Sequence, residues 1–578
     1  MSHFAELCAG FRKCHSNPLN VALHVVTTPT CIFAVYCLAN QYVEQNIVRG
    51  FTAIYCLSLL PLVPFAIFVL NTGAFAALCV GSSMVSCTCA QLWSEVFVAA
   101  YILQEVSHWI TGEITYQSTY QKKQNFFGLL LQHTYFLMPL VLDAIPNVDG
   151  HYLTWIVAQN TVVHTKLTAP KEKANLAFMR QWILDQKPST EQTTHWWFNK
   201  LDEKPRKAFD EIATSEGVLG MFREKFSKAI YNVEVLEGMN EIYVACEQHK
   251  MNSDTVFYMQ HIDGPWYMIP FCGAYRCILA VNDNERISTL FPMAPAKHTL
   301  TNGDIVGFDF NREIHYIENN PGTVKGKEPR MTLKLHYVVY PKALKPLGKL
   351  LGYLTTLYDI NARKLFLATI KPTGLFSQIT AYGILVVTNL MFLGEKLVGY
   401  YNMVYVALAV LGNFLVHDRF YLCATSFMHY MMYLGTYHQK TNISYGTFLR
   451  NVIFFKTLAL INLAYFYLTS FQYDPISLAM IVIGYGISGK AAAALGVEKT
   501  YFGVELGICK PKWVDAFPYN VIPHPMIVGS ILGLLGIFKM EGLRQAVPYL
   551  VPVHIFLYTC HMLQEIVFDV YRQPKKVD

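Results

Sequence analysis

Charge is scarce in this chain of 578 residues: Asp, Glu, Lys and Arg together make 15%, against 53% hydrophobic residues. That scarcity excludes a disordered polar chain, and a net charge of only +6 argues against a nucleic-acid partner. No two of the fourteen cysteines form a CxxC pair. Cys31, Cys37, Cys56, Cys79 and Cys87 lie in apolar runs. They read as buried thiols facing a reducing compartment, not as a disulfide framework. The opening MSHFAELCAGFRKCHSNPLN has no apolar core ahead of a small-residue cleavage site, so the first span is expected to act as the insertion signal. Low-complexity tracts are missing, and the apolar clusters share no obvious repeat, which disfavours an inverted-repeat transporter.

What the chain has instead is long apolar segments. Residues 1–164 carry them at about 20–43, 51–71, 73–92, 93–112 and 126–146. Residues 346–578 carry them at about 376–394, 398–416, 420–437, 452–470, 475–495, 521–538 and 546–568. Most approach the roughly 20 residues a helix needs to cross hydrocarbon. The expected fold is therefore a polytopic α-helical membrane protein with a soluble insertion at 165–345. That insertion is dense in charge. Its first half has helical character, and its second half gives TVFYMQHID, YRCILAVND, DIVGFDF and MTLKLHYVVYP. Period-2 segments broken by Gly, Asn, Asp and Pro predict an antiparallel sandwich or barrel.

Within it, His261 and Asp263 stand at i and i+2, on one face of a strand. GDIVGFDFNREIHYIENNP supplies His315 farther on, and PRMTLKLHYVVYP supplies Arg330. Two imidazoles and a carboxylate make the facial triad of non-haem Fe(II) oxygenases. An arginine can grip a carboxylate cosubstrate with both nitrogens. A single His-x-Asp is expected by chance in a chain with 19 histidines, so the conjunction carries the assignment. HIDGPWYMIPFCGAYRCILAVNDN, GDIVGFDFNREIHYIENN and PRMTLKLHY together resemble the aspartyl/asparaginyl β-hydroxylase group of 2-oxoglutarate oxygenases, over about 100 residues. The resemblance implies a cupin-like double-stranded β-helix, with iron on His261, Asp263 and His315. It also implies Arg330 on the distal carboxylate of 2-oxoglutarate and Arg276 near that cosubstrate. The group's protein substrates do not carry over, because nothing here matches a peptide-binding module.

The C-terminal segment IVIGYGISGKAAAALGVEKTYFGVELG places Gly484 and Gly486 in a GxG, which alone more often means close helix packing. His524-Pro525 opens a span, where displaced backbone groups are tolerated only inside protein or beside a cavity. Glu565 lies in the last apolar segment, and an acid there is costly in lipid. Together these resemble the membrane-embedded phospholipid and isoprenylcysteine methyltransferases. Through FPYNVIPHPMIVGSILGLLG they are most similar to the phosphatidylethanolamine N-methyltransferase branch. That resemblance implies S-adenosylmethionine cradled by Gly484, Gly486, His524, Pro525 and Glu565, with His524 and Glu565 catalytic. The branch has paired acids where this chain has Gln564-Glu565.

At the other end, CHSNPLNVALHVVTTPTCIF presents His15 and His24, and LQEVSHWITGE presents His108 and Glu113. A lone interfacial histidine is usually structural, but several at span ends can bind a metal as neutral imidazoles. The pattern resembles the small membrane family of the 2-hydroxy-fatty-acid dioxygenases. That implies Fe(II) on His15, His24 and His108, with His133 a further candidate. The family's Gly-His is Ser107-His108 here.

The expected function is an integral-membrane lipid-modifying enzyme that joins an Fe(II)/2-oxoglutarate oxygenase to an S-adenosylmethionine-dependent phospholipid N-methyltransferase. Its substrate would be a lipid in the bilayer of the endoplasmic reticulum, with the middle domain cytosolic. Iron, 2-oxoglutarate and S-adenosylmethionine are supplied on that side. Lys122 and Lys123 also favour it under the positive-inside rule, in which case 126–146 cannot be a single full crossing. The alternatives are one active module alone, or a membrane scaffold or transporter. Asn442-Ile443-Ser444 is a glycosylation sequon and a weak clue.

Overall fold

The computed structural model describes residues 3–567, apart from 86–88, 120–125, 146–159, 190–192, 227–230, 246–258, 267–268, 270, 321–328, 370–373, 416, 439–442 and 512–513. Lys122, Lys123 and Asn442 lie outside the described residues, as do residues 255–258 of the expected TVFYMQHID strand, whose described part, 259–263, holds an isolated bridge at His261 and not a strand.

The N-terminal module consists of α1 (His3–Cys14), α2 (Pro18–Tyr42), α3 (Gln45–Leu59), α4 (Phe65–Ser83), α5 (Ala90–Thr111) and α6 (Phe126–Ala144). The expected span at 51–71 is divided, because Pro61 and Pro64 cannot continue the helix that ends at Leu59. Asn17 caps α2 by accepting from Leu19 N at 2.9 Å, with Pro18 in the first helical position. Gly112 ends α5 in the left-handed region at φ 70, which holds His108 in the last turn.

The insertion packs α7 (Pro170–Asp185), α8 (Glu203–Ala213) and α9 (Glu216–Lys225) on an antiparallel sheet. Its ten strands are β1 (Val163–Lys166), β2 (Thr194–Trp197), β3 (Tyr231–Val235), β4 (Glu241–Ala245), β5 (Gly273–Ala280), β6 (Ile287–Phe291), β7 (Ala296–Thr299), β8 (Asp304–Asp309), β9 (Tyr316–Asn319) and β10 (Arg330–Pro341). The larger sheet runs β1-β8-β5-β10-β4-β2, with β3 also on β10, and the smaller runs β7-β6-β9. β10 is buried along its whole length, as a central strand rich in Leu, Val and Tyr should be. Phe209 and Phe222 of the helices close over Ile242, Leu333 and Tyr337 to form the core. The antiparallel sheet expected from the period-2 pattern is present.

The sequence pattern did not single out α10 (Lys345–Thr369), which leaves the sheet and leads into the second membrane cluster. The C-terminal module continues with α11 (Leu375–Leu397), α12 (Tyr400–Leu415), α13 (Phe420–Ser426), α14 (Met428–His438), α15 (Tyr445–Thr469), α16 (Pro475–Leu495), α17 (Val497–Thr500), α18 (Pro525–Phe538), α19 (Glu541–Ala546) and α20 (Leu550–Val567). Among the described residues, five helices are long and apolar enough to cross a membrane: α6, α11, α15, α16 and most of α2. The sheet rests on this module. Met293 O accepts from Ser444 Oγ at 2.6 Å and from Gly446 N at 2.8 Å, and Lys396 reaches Gln260 at 3.2 Å.

α16 and α18 cross with their backbones in contact. A Cβ on Gly484 would lie 2.3 Å from Gly533 N and 2.6 Å from Gly529 O, whereas one on Gly486 would meet nothing within 4 Å. Gly484→Ala is therefore expected to lower the thermal midpoint in detergent, at a cost of roughly 1–3 kcal/mol for overpacking. Gly486→Ala should leave the midpoint unchanged. Equal midpoints for both variants would show that the two backbones do not touch.

Candidate functional sites

In the middle module, His261 and His315 face each other across an isolated antiparallel bridge. His261 N donates to His315 O at 3.1 Å, and His315 N to His261 O at 3.0 Å. This mutual pairing sets both side chains on one face, and Asp263 shares that face two residues on. Each imidazole Nε2 looks toward the carboxylate, at 3.7 Å for His261 and 3.5 Å for His315. Each Nδ1 is committed to a backbone carbonyl, Met259 O at 2.8 Å and Glu313 O at 3.1 Å. Carbonyls placed in this way fix the tautomer that offers Nε2 to a metal. Burial pushes His261 down and His315 down to about 3, so both rings are neutral. Burial alone would raise Asp263, but Arg276 and the two histidines hold it ionised, well below the usual carboxylate range. All three ligand atoms lie within 4.8 Å of one another. The donor set fits a divalent iron with positions left open.

Arg276, on β5 opposite His336 of β10, binds Asp263 at 2.7 Å, Asp359 at 3.0 Å and His336 Nε2 at 2.9 Å. It therefore orients the carboxylate of the triad. Asp359 comes from α10, and one turn on Arg363 of the same helix pairs with Glu241, which also binds Lys334 at 3.1 Å. A buried chain of alternating charge thus leads from Asp263 to Lys334. Sequence reasoning missed Asp359, Arg363, Glu241 and Lys334. The available signal was LYDINARKLF, an acid and an arginine one turn apart on a helix. Arg330, at the start of β10, bridges the two sheets by donating to Thr289 Oγ1 at 3.3 Å.

In the N-terminal module the structure brings His15, His24 and His108 together, with ligand atoms within 4.8 Å of one another. His15 Nε2 lies 3.4 Å from His24 Nε2, and their Nδ1 atoms each meet a carbonyl one turn back, Phe11 O and Asn20 O, both at 3.0 Å. Three imidazoles so presented fit a metal. Glu113 is not one of that set. It accepts from Ser16 N at 2.7 Å, Asn17 N at 2.9 Å and Asn20 Nδ2 at 2.7 Å, so it anchors the start of α2 to the end of α5. Asn20 in turn lies 3.2 Å from His108 Nδ1. The cluster and His133 line one cavity of about 920 Å³, most of whose wall is apolar.

The C-terminal module encloses a second cavity, of about 870 Å³, between α15, α16, α18, α20 and the loop before α18. His524 stands at its wall with φ 47, a left-handed backbone that non-glycine residues seldom adopt, immediately before Pro525 begins α18. His524 Nδ1 is 2.7 Å from Glu565 Oε2. On the other side His561, one turn earlier on α20, puts Nε2 3.4 Å from Glu565 Oε1. The structure brings His524 and Glu565 together, as expected. It sets Gly484 at the crossing of α16 and α18, and neither Gly484 nor Gly486 lines the cavity. His561 was missed, although HMLQE spells a histidine one helical turn before the acid.

Residues 475–568 match the family model for phospholipid methyltransferases. The match covers α16 to α20, so most of the residues that line the second cavity lie within the matched segment. More particularly, 75 residues are 32% identical to the phosphatidyl-N-methylethanolamine N-methyltransferase of Saccharomyces cerevisiae, covering 13% of this chain and 36% of that enzyme. The chain thus spans about a third of the length of the curated relative it matches.

Proposed function

We propose that the chain is an integral-membrane lipid-modifying enzyme whose C-terminal module methylates the amine head group of a phospholipid. The observation that carries this reading is Glu565 held between His524 and His561, at a cavity within the matched domain. S-adenosylmethionine supplies the methyl group as a sulfonium. The cavity has room for it beside a head group, and a buried acid suits its positive charge. His524 fixes the carboxylate of Glu565. His561, oriented by the same carboxylate, takes the proton an ammonium must lose before its nitrogen can attack. Pro525 starts α18 where its missing N–H costs nothing. Gly484 enters through helix packing.

A second reading is supported by the His261, Asp263 and His315 set. The middle module is then a double-stranded β-helix that binds Fe(II) and 2-oxoglutarate and hydroxylates or cleaves a lipid C–H position. Iron with its cosubstrate and O₂ supplies the oxidant there. His261, Asp263 and His315 hold the metal, Arg276 orients Asp263, and Arg330 grips the distal carboxylate. His15, His24 and His108 hold a second iron at the apolar N-terminal cavity, whose size suits an acyl chain. Replacing Arg330 by Lys keeps the charge but loses the planar fork. 2-Oxoglutarate affinity should fall about tenfold, or ~1.4 kcal/mol, with metal content unchanged. Unchanged affinity in titration calorimetry would assign the carboxylate to another cation, such as Lys334.

The same reading puts the protein in the endoplasmic reticulum, with 165–345 facing the cytosol, where iron, 2-oxoglutarate and S-adenosylmethionine are supplied. Cleavage of that region by protease added to sealed microsomes supports the orientation, and protection reverses it.

A further inference from the structure

α15 carries a lysine inside its apolar run. In NVIFFKTLALINLAYF, Lys456 has Phe455 and Thr457 as neighbours, and a cation in such a segment is expensive unless it has work there. It precedes the matched residues 475–568 and belongs to none of the motifs above. Its side chain lines the cavity of about 870 Å³, with Nζ 5.5 Å from the centre of the Tyr501 ring. Among the described residues no Asp or Glu forms an ion pair with it. Two acids line the cavity, Glu505 and Glu565, and Glu565 is already engaged by His524 and His561. Tyr433, Tyr501 and Tyr558 surround the ammonium, Tyr501 also through a side-chain hydrogen bond, and Lys499 is a second cation on the same lining.

A cation on one wall and a carboxylate on another complement a zwitterion. We infer that Lys456 anchors an oxyanion of the bound ligand, the phosphodiester of a zwitterionic phospholipid whose amine end lies toward Glu565 and His561. A lysine serves phosphate as a compact point charge. The inference rests on the methyltransferase reading and names the residue that holds the phosphate of its substrate. The carboxylate of the cofactor's amino-acid part has the same oxyanion chemistry, so the test must separate the two sources.

The purified full-length protein is loaded in detergent with radiolabelled dioleoyl-phosphatidylethanolamine, with dioleoylglycerol, and separately with labelled S-adenosylmethionine. Lys456→Met is expected to weaken phosphatidylethanolamine retention about tenfold and leave the other two unchanged, while Lys456→Arg restores it. Weakened S-adenosylmethionine retention alone would move the oxyanion to the cofactor and overturn the lipid assignment. Wild-type retention of all three ligands by Lys456→Met would overturn the anchor itself, and Lys456→Gln repeats the test if the methionine variant fails to fold. Wild-type protein that retains the phospholipid through Lys456 but no S-adenosylmethionine would support the anchor and sink the methyltransferase reading.

Discussion

His315→Ala should remove one metal ion per chain from the purified full-length protein and leave its thermal midpoint close to wild type. In the proposed oxygenase reading His315 supplies one of three ligands, and the remaining pair, His261 and Asp263, would be too few to retain iron through purification. Outer partners of metal ligands typically cost 10- to 100-fold in affinity when removed, so loss of a ligand itself should exceed about 100-fold. The fold should survive because Asp263 keeps Arg276 at 2.7 Å, so no buried carboxylate is left without a countercharge. His24→Ala should remove a separate ion from the N-terminal cluster. The two clusters share no residue, so the double variant should lose both ions additively. Elemental analysis by mass spectrometry decides it. Full metal content in His315→Ala would end the oxygenase reading of the middle module.

The apolar helices were legible because crossing hydrocarbon demands some 20 apolar residues, but the pattern misplaced breaks: Pro61 and Pro64 divide 51–71, the change from α4 to α5 falls inside 73–92, and Phe427 divides 420–437 into α13 and α14. The strands β5, β8 and β10 were legible through alternation, and the pairing of His261 with Asp263 through their i, i+2 spacing, although His261 forms an isolated bridge to His315 and not part of the expected strand. The supports of that triad were not. Asp359 reaches Arg276 across 83 residues of sequence, and no local period announces a contact made by tertiary packing. Glu113 read as an acid beside candidate ligands, yet it serves the backbone at the start of α2. Gly484 shows the opposite ambiguity. A small residue in a span suits both a cofactor and a neighbouring helix, and only the crossing with Gly529 and Gly533 distinguishes them. Lys456 was visible as a charge inside a span but had no partner motif to give it meaning.

The last expected result concerns methyl transfer. Glu565→Gln keeps the size of the side chain and an acceptor oxygen for His524, and it removes the charge. If that charge offsets a sulfonium and orients His561, both cofactor binding and turnover should suffer. Removing a preorganised electrostatic partner at an enclosed site typically costs 10²–10³ in turnover, so incorporation of labelled methyl into phosphatidylethanolamine should fall at least ~100-fold, or about 2.7 kcal/mol. His561→Ala separates the two roles. With Glu565 and His524 intact at 2.7 Å, S-adenosylmethionine should bind as in wild type, while turnover falls for want of a proton acceptor. Raising the pH should recover part of the rate in His561→Ala, because more of the amine is then already unprotonated, and none of the cofactor affinity lost in Glu565→Gln. A rate defect in His561→Ala that ignores pH would assign His561 to positioning Glu565. Wild-type incorporation by both variants would leave the cavity between α15, α16, α18 and α20 without a catalytic role and shift the proposed activity to the two candidate metal sites.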